Sequence, residues 1–157
     1  MNFLKKKLKN LLKVILEKFN PKLLHSIKIR RFKKILPVEF LNHLKRLNSR
    51  SLTIDLGANV GLVSEILAQT GSEVIAFEPN TNALSSLYPV ADNFQNILVK
   101  PYAAGVKNQT AKLFLHKDTD DSNDDLTQSS SLKEDKPNVS SQISEEVKEI
   151  DFAEFIG

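Results

Sequence analysis

Apolar residues recur with a helical period through the first part of the chain. They place one stripe on a single helical face, with lysines on the opposite face, before Asn20 and Pro21 interrupt the pattern. The stripe consists of Leu4, Leu8, Leu11, Leu12, Ile15, Leu16 and Phe19, and the opposing lysines are Lys6, Lys9 and Lys13. The pattern predicts a basic amphipathic helix that ends at Asn20.

After Arg50 the pattern changes to short apolar runs separated by glycine and proline. Residues 51–56 form a run typical of a buried strand, and residues 62–68 have the composition of a helix. Residues 73–77 form a second apolar run, which Pro79 terminates. Strand, glycine turn, helix and strand in this order predict a βαβ unit with parallel strands, and therefore an α/β fold.

The residues around the glycine turn carry candidate chemistry. Gly57 and Gly61 permit positive φ and, because they lack Cβ, a close approach of a ligand to the main chain. Glu78 follows the second strand, 21 residues beyond Gly57 (78 − 57). A carboxylate at about that spacing reaches the ribose hydroxyls of a nucleoside lying across the turn. The spacing therefore predicts an adenosine-like ligand.

The glycine pattern bears on which ligand binds. Dinucleotide sites use G-x-G-x-x-G, whereas here Asn59 stands where the second glycine would be. Asp55, two residues before the first glycine, suits the positive charge of a sulfonium cofactor and would repel a phosphate. The residues favour S-adenosylmethionine (SAM), and a nicotinamide-dependent oxidoreductase is the rival enzyme class.

Two segments together resemble the FkbM-type SAM-dependent methyltransferases. They are Thr53-Ile54-Asp55-Leu56-Gly57-Ala58-Asn59-Val60-Gly61 and Ala76-Phe77-Glu78-Pro79, and the resemblance runs from about residue 52 to residue 156. It implies a Rossmann-like class I methyltransferase fold. In that fold Asn59 and the backbone at Gly57 and Gly61 would hold the amino acid end of the cofactor.

The resemblance also assigns roles further along the chain. Residues 97–99 and 113–115 correspond to strands, and residues 103–105 to the turn between them, which would place Ala104 near the adenine. Residues 129–132 resemble the family's serine-rich loop on the substrate side. Residues 147–151 match the segment before the family's fourth core strand, so we expect only the N-terminal, cofactor-binding half of the fold.

The implied reaction is methyl transfer from SAM to a hydroxyl of a sugar, a lipid-linked or a secondary-metabolite acceptor. No residue is nominated as the catalytic base, because the family's acid-bearing fourth strand lies beyond residue 157. Two alternatives stay open: an inactive SAM-binding fragment, and an accessory protein that binds a membrane or a partner. An exposed sheet edge would also favour an oligomer or a complementary chain.

Charge divides the chain at the same place as the hydrophobic pattern. Residues 1–50 hold fifteen Lys or Arg against two acids, a net charge of +13, whereas residues 51–157 hold seven against seventeen, a net charge of −10. We therefore expect a basic helical arm over 1–50 and a partial methyltransferase domain over 51–157. The polar stretch 116–146, which includes the acidic run 118–125, predicts a flexible loop.

The basic arm leaves three interpretations. Residues 1–36 could contact an anionic membrane, or the apolar stripe could pack against the domain or a second chain. Nucleic acid is disfavoured, since the phenylalanines of the arm do not form a stacking platform.

The chain has no cysteine, and its three histidines have no metal-ligand spacing, so we predict no metal site. We expect a cytoplasmic protein, with peripheral contact at the inner membrane surface as an option.

Overall fold

A computed structural model describes residues 2–116, 130–132 and 139–157 of the chain. These residues divide into two compact units, 1–43 and 44–157. The change of unit falls a few residues before Arg50, where the sequence placed the end of the basic arm.

The first unit is helical. Helix α1 spans Asn2–Phe19, α2 spans Pro21–Lys33, and α3 spans Val38–Leu44, so that its last residue is the first of the second unit. Asn20 separates α1 from α2, and its side chain accepts a hydrogen bond from the Leu23 amide at 3.0 Å, which caps the second helix. The predicted amphipathic helix is therefore present, and it ends where the Asn-Pro pair required.

The second unit begins with a three-stranded parallel sheet. Strand β1 (Leu52–Leu56), helix α4 (Leu62–Ala68), strand β2 (Glu73–Phe77), helix α5 (Thr81–Ala91) and strand β3 (Ile97–Lys100) follow in chain order. The spatial order of the strands is β1-β2-β3, and both pairs are parallel. Parallel neighbours joined through helices confirm the predicted βαβ unit and a mixed α/β fold.

A second sheet follows in the same unit. Strand β4 is Ala103–Gly105, β5 is Gln109–His116 and β6 is Val139–Asp151, and helix α6 (Phe152–Ile156) comes directly after β6. The spatial order is β4-β6-β5, with β6 parallel to β4 and antiparallel to β5. Residues 103–105, expected as a turn, thus form a short strand, because β6 supplies their hydrogen-bonding partner.

The prediction of a flexible loop over 116–146 is wrong for its last residues, which form part of strand β6. Residues 139–146 belong to this strand and pair with β5, although their composition is polar. The apolar positions of β6 explain the pairing, since Val147 joins Ala103, Leu113 and Leu115 in a buried cluster against which Ile143 packs. Residues 117–129, which include the acidic run, and residues 133–138 lie outside the described residues.

The first sheet has its own apolar core. Ala58, Ala76, Leu84 and Leu87 form a buried cluster between the sheet and α5, with Ile97 and Val99 packed against it. Phe77, which is fully buried, also meets α6, where its ring lies edge-on to Phe152 and Phe155 at centroid distances of 5.9 and 5.1 Å. This aromatic cluster fixes the carboxyl end of β2, where the predicted site begins.

Across the described part of the chain, no helix is both long enough and apolar enough to cross a membrane.

Candidate functional site

The loop that follows β1 has the backbone conformation that its glycines allow. Gly57 and Gly61 have φ values of +80° and +86°, and Asn59 between them has φ +49°. The amides of Gly57 and Ala58 both donate to the Phe77 carbonyl at 2.9 Å, which ties the loop to the end of β2. The loop 57–61 and the end of β2 therefore form one structure at the carboxyl edge of the parallel sheet, where open α/β sheets bind ligands.

Glu78 joins the two strand-end loops. Its Oε2 accepts a hydrogen bond from the Asn59 amide and its Oε1 accepts one from the Asn80 amide, each at 2.8 Å. The side chain is only 7% exposed. The spacing that predicted a ribose contact has thus placed Glu78 against the glycine loop, where it orders the backbone on both sides.

Asp55 lies at the end of β1 and holds the start of the following helix. Its Oδ2 accepts a hydrogen bond from the Ser64 hydroxyl at 2.7 Å, across nine residues of sequence. Ser64 is fully buried in the first part of α4. Asp55 therefore ties the end of β1 to helix α4 on the far side of the glycine loop, through a serine that the sequence analysis did not single out.

Burial raises the pKa of both carboxyl groups above the ordinary values of 3.8 for Asp and 4.5 for Glu. The hydrogen bonds to Ser64 partly offset this rise in the pKa of Asp55. For Glu78, hydrogen bonds from the Asn80 and Asn59 amides partly offset the rise in pKa that burial causes. The negative charges of Asp55 and Glu145 raise this pKa further. The site thus concentrates negative charge in partly desolvated surroundings, which favours a ligand that brings positive charge or hydroxyl donors.

The two glycines of the loop differ in their surroundings. A Cβ at Gly61 would come within 2.8 Å of Leu87 Cδ1, so α5 packs directly onto this glycine. A Cβ at Gly57 would meet no atom within 4 Å, so the space beside this residue is open. Gly61 is therefore explained by packing, whereas Gly57 leaves room for a ligand to approach the main chain.

Ser130 and strand β6 each contact the start of α5, beside Glu78. Asn80 caps α5, with its Oδ1 accepting from the Ala83 amide at 2.9 Å, and its Nδ2 donates to the Ser130 hydroxyl at 3.1 Å. Glu145 of β6 accepts from the Thr81 amide at 3.1 Å and from the Thr81 hydroxyl at 2.6 Å. The described part of the serine-rich segment thus lies next to the predicted cofactor site.

Sequence reasoning missed Asn80, Thr81 and Glu145. Asn80 had a recognisable signal, because an asparagine that follows Pro79 and precedes a helix is a typical N-cap. Glu145 had none, because its partner lies 64 residues earlier in the chain.

Ala104 does not belong to the same group of side chains. It lies in β4 of the second sheet, where it pairs with Ile150 of β6. An open groove of about 280 Å³ lies near this sheet, and its lining residues are Lys100, Tyr102, Asn108, Ile150, Asp151, Glu154 and Phe155. None of the predicted cofactor residues lines this groove, although the Lys100 carbonyl accepts a hydrogen bond from the Glu78 amide at 3.1 Å.

Metal ligation has no support in residues 2–116, 130–132 and 139–157, where no three His, Cys, Asp or Glu side chains are grouped to hold an ion.

The class that the described geometry defines is an α/β protein whose two strand-end loops are joined by a buried glutamate. A scan against models of protein families found no match to this chain, and a search of curated proteins found none either.

Proposed function

We propose that this chain binds SAM at the carboxyl edge of the parallel sheet and that it is an FkbM-type methyltransferase. Its reaction would be methyl transfer to a hydroxyl of a sugar, a lipid-linked or a secondary-metabolite acceptor. The observation that carries the proposal is the position of Glu78, which bridges Asn59 and Asn80 beside the open space at Gly57.

Glu78 retains the capacity to bind a ligand. An ionised carboxylate offers about four lone-pair sites, and the Asn59 and Asn80 amides occupy two of them. The remaining lone pairs suit the two adjacent hydroxyls of a ribose, which donate hydrogen bonds. The two amides hold the carboxylate in place before the ligand arrives, which reduces the ordering cost of binding.

Asp55 and Gly57 fit the other end of the same cofactor. The negative charge of Asp55 offsets the ammonium and sulfonium charges of SAM, while the absence of a side chain at Gly57 lets the ligand lie against the loop. Bound SAM would supply an electrophilic methyl group. The residues of this chain would bind and orient it, and alignment with the acceptor oxygen provides much of the rate enhancement in such transfers.

Titration calorimetry of the full chain with SAM tests the proposal. Glu78→Gln keeps the size of the side chain but replaces one acceptor oxygen by a donor, and we expect it to weaken binding by about tenfold or more. Glu73→Gln is the matched control, because Glu73 lies at the opposite end of the same strand and is exposed. Equal SAM affinity in both variants would contradict the assigned role of Glu78.

Competition and turnover separate the alternatives. Preference for NAD over SAM would replace the proposal with an oxidoreductase-type site. SAM binding without transfer of a labelled methyl group to sugar or lipid-linked hydroxyl acceptors would identify a SAM-binding protein with no activity of its own. Absence of binding to either cofactor would leave the accessory-protein interpretation.

A further inference from the structure

Helix α1 presents an apolar stripe that α2 does not cover. Its side chains are exposed to between 43% and 75%, and they are Leu8, Leu11, Leu12, Ile15 and Phe19. Their spacing puts all five on one face of the helix. Exposure of such a face to water is unfavourable, because transfer of each apolar side chain out of water lowers the free energy.

Lysine positions border the stripe on both sides. At about 100° per residue, position Lys5 flanks one edge of the stripe, and positions Lys7 and Lys18 flank the other. Helix α1 contains six lysines and one acid, Glu17. Lysines at the edges of an apolar face can extend their ammonium groups toward an anionic surface while the face itself is buried.

We propose that α1 docks parallel to an anionic lipid surface, with the stripe inserted at the boundary between head groups and acyl chains. Charge complementarity favours this occupant over a second copy of the arm. Residues 1–50 carry a net charge of +13, so a second copy of the arm would be repelled, whereas phosphate head groups are attracted. The basic residues at the end of α2, Arg30, Arg31 and Lys33, add to the same attraction.

This proposal does not depend on the SAM site. It concerns where the chain resides, and a failure of SAM binding leaves it unchanged.

Vesicle sedimentation of the full chain tests the docking. We expect binding to vesicles that contain phosphatidylglycerol, little binding to phosphatidylcholine alone, and loss of most binding in about 1 M NaCl, where the screening length is about 3 Å. Equal binding to both kinds of vesicle, or no binding to either, would overturn the proposal.

Two neighbouring β-branched residues provide a matched pair of variants. Ile15 lies in the stripe, while Val14 lies outside it and is exposed to 59%. Ile15→Asp and Val14→Asp change the charge equally, so the difference between them reports insertion of the stripe. We expect Ile15→Asp to weaken vesicle binding by at least about tenfold more than Val14→Asp, because burial of one isoleucine accounts for such a factor. Equal effects would show that attraction is purely electrostatic and would contradict insertion.

A fluorescent reporter decides the question even if Ile15→Asp disturbs folding. The chain contains no tryptophan, so Phe19→Trp introduces a single tryptophan on the stripe, and Val14→Trp is its control. Insertion predicts that phosphatidylglycerol vesicles shift the emission of the Phe19→Trp variant to the blue and that the control shifts less. A blue shift of the Phe19→Trp variant that depends on protein concentration and occurs without vesicles would overturn insertion and indicate packing against a second protein chain.

Discussion

The Glu78 carboxylate accepts a hydrogen bond from the backbone amide of Asn59 at 2.8 Å and thereby joins the end of β2 to the loop after β1. Its other oxygen accepts a hydrogen bond from the Asn80 amide at the same distance. One side chain therefore orders two loops and, in our proposal, also binds the ribose of the cofactor. Substitutions at this position must be tested for stability as well as for binding.

Removal of the Glu78 carboxylate should destabilise the second unit. Glu78→Ala leaves two amides without their acceptor in a partly buried place, which costs about 1–3 kcal/mol of unfolding free energy. Glu73→Ala, at the exposed end of β2, should change stability by only about 0.5 kcal/mol or less. Urea unfolding followed by circular dichroism measures both, and similar values for the two variants would refute the bridging role.

Alanine substitutions at the two loop glycines should separate packing from ligand access. Gly61→Ala combines positive φ with a contact to Leu87, so we expect a loss of about 2–4 kcal/mol. In Gly57→Ala the new methyl group contacts no neighbouring atom. We therefore expect a loss of only about 1–2 kcal/mol, the cost of holding alanine at positive φ. Thermal unfolding distinguishes the two. SAM affinity should nevertheless fall for Gly57→Ala, and an unchanged affinity would argue against a ligand beside this glycine.

The half-buried Asp55 and the buried Glu78 should make the second unit less stable as pH rises. Because their folded pKa values are raised above 3.8 and 4.5, the folded protein retains protons that the unfolded chain has released. Their contribution to the free energy of unfolding is therefore complete below those ordinary values and is lost as pH rises through the raised ones.

Asp55→Asn isolates one of these carboxyl groups, because asparagine can still accept the hydrogen bond from Ser64. Over the pH range from the ordinary Asp value toward neutrality, the variant should lose less stability than the natural chain. Urea unfolding at a series of pH values provides the comparison. A steeper decline in the variant would show that the pKa of Asp55 is not raised by folding.

The contact between Glu145 and Thr81 should couple β6 to the start of α5. In a double-mutant cycle of Glu145→Ala and Thr81→Val, we expect a coupling free energy of about 0.5–1 kcal/mol. Glu146→Ala in place of Glu145→Ala is the control, since Glu146 is exposed on the same strand. Coupling of the same size with Glu146 would indicate a general charge effect rather than this hydrogen bond.

Strand β1 should be a site of self-association through the sheet edge. Among the described strands it pairs only with β2, and Leu52 and Leu56 at its ends are 63% and 51% exposed. Leu52→Lys should therefore reduce concentration-dependent association in sedimentation experiments. Val106→Lys adds the same charge at a position that is 82% exposed and outside this sheet, and it should have a smaller effect.

The local parts of the fold were predictable because their signals are local. Strand β2 and helix α4 have the predicted bounds, Glu73–Phe77 and Leu62–Ala68, and Gly57 and Gly61 have the positive φ values that their residue type suggested. Helix α1 ends where Asn20 and Pro21 stop it. In each case the deciding residues lie within a few positions of one another.

The second sheet was not predictable in the same way. Strand β6 is polar in sequence and is formed because β4 and β5 pair with it from distant positions. The same long-range pairing converts Ala104 from a turn residue into a strand residue. The contacts made by Glu145 and Ser130 at the candidate site depend on this sheet, so composition and spacing alone could not reveal them.

The two sheets of residues 44–157 have separate apolar clusters, with no buried residue in common. Among the described residues they are joined by the aromatic contacts of Phe77 with α6 and by the polar contacts at Asn80 and Thr81. We expect that one cluster can open locally while the other stays packed. In thermodynamic terms this unit would then behave as two coupled cooperative blocks, and a ligand held at their junction would increase the cooperativity between them.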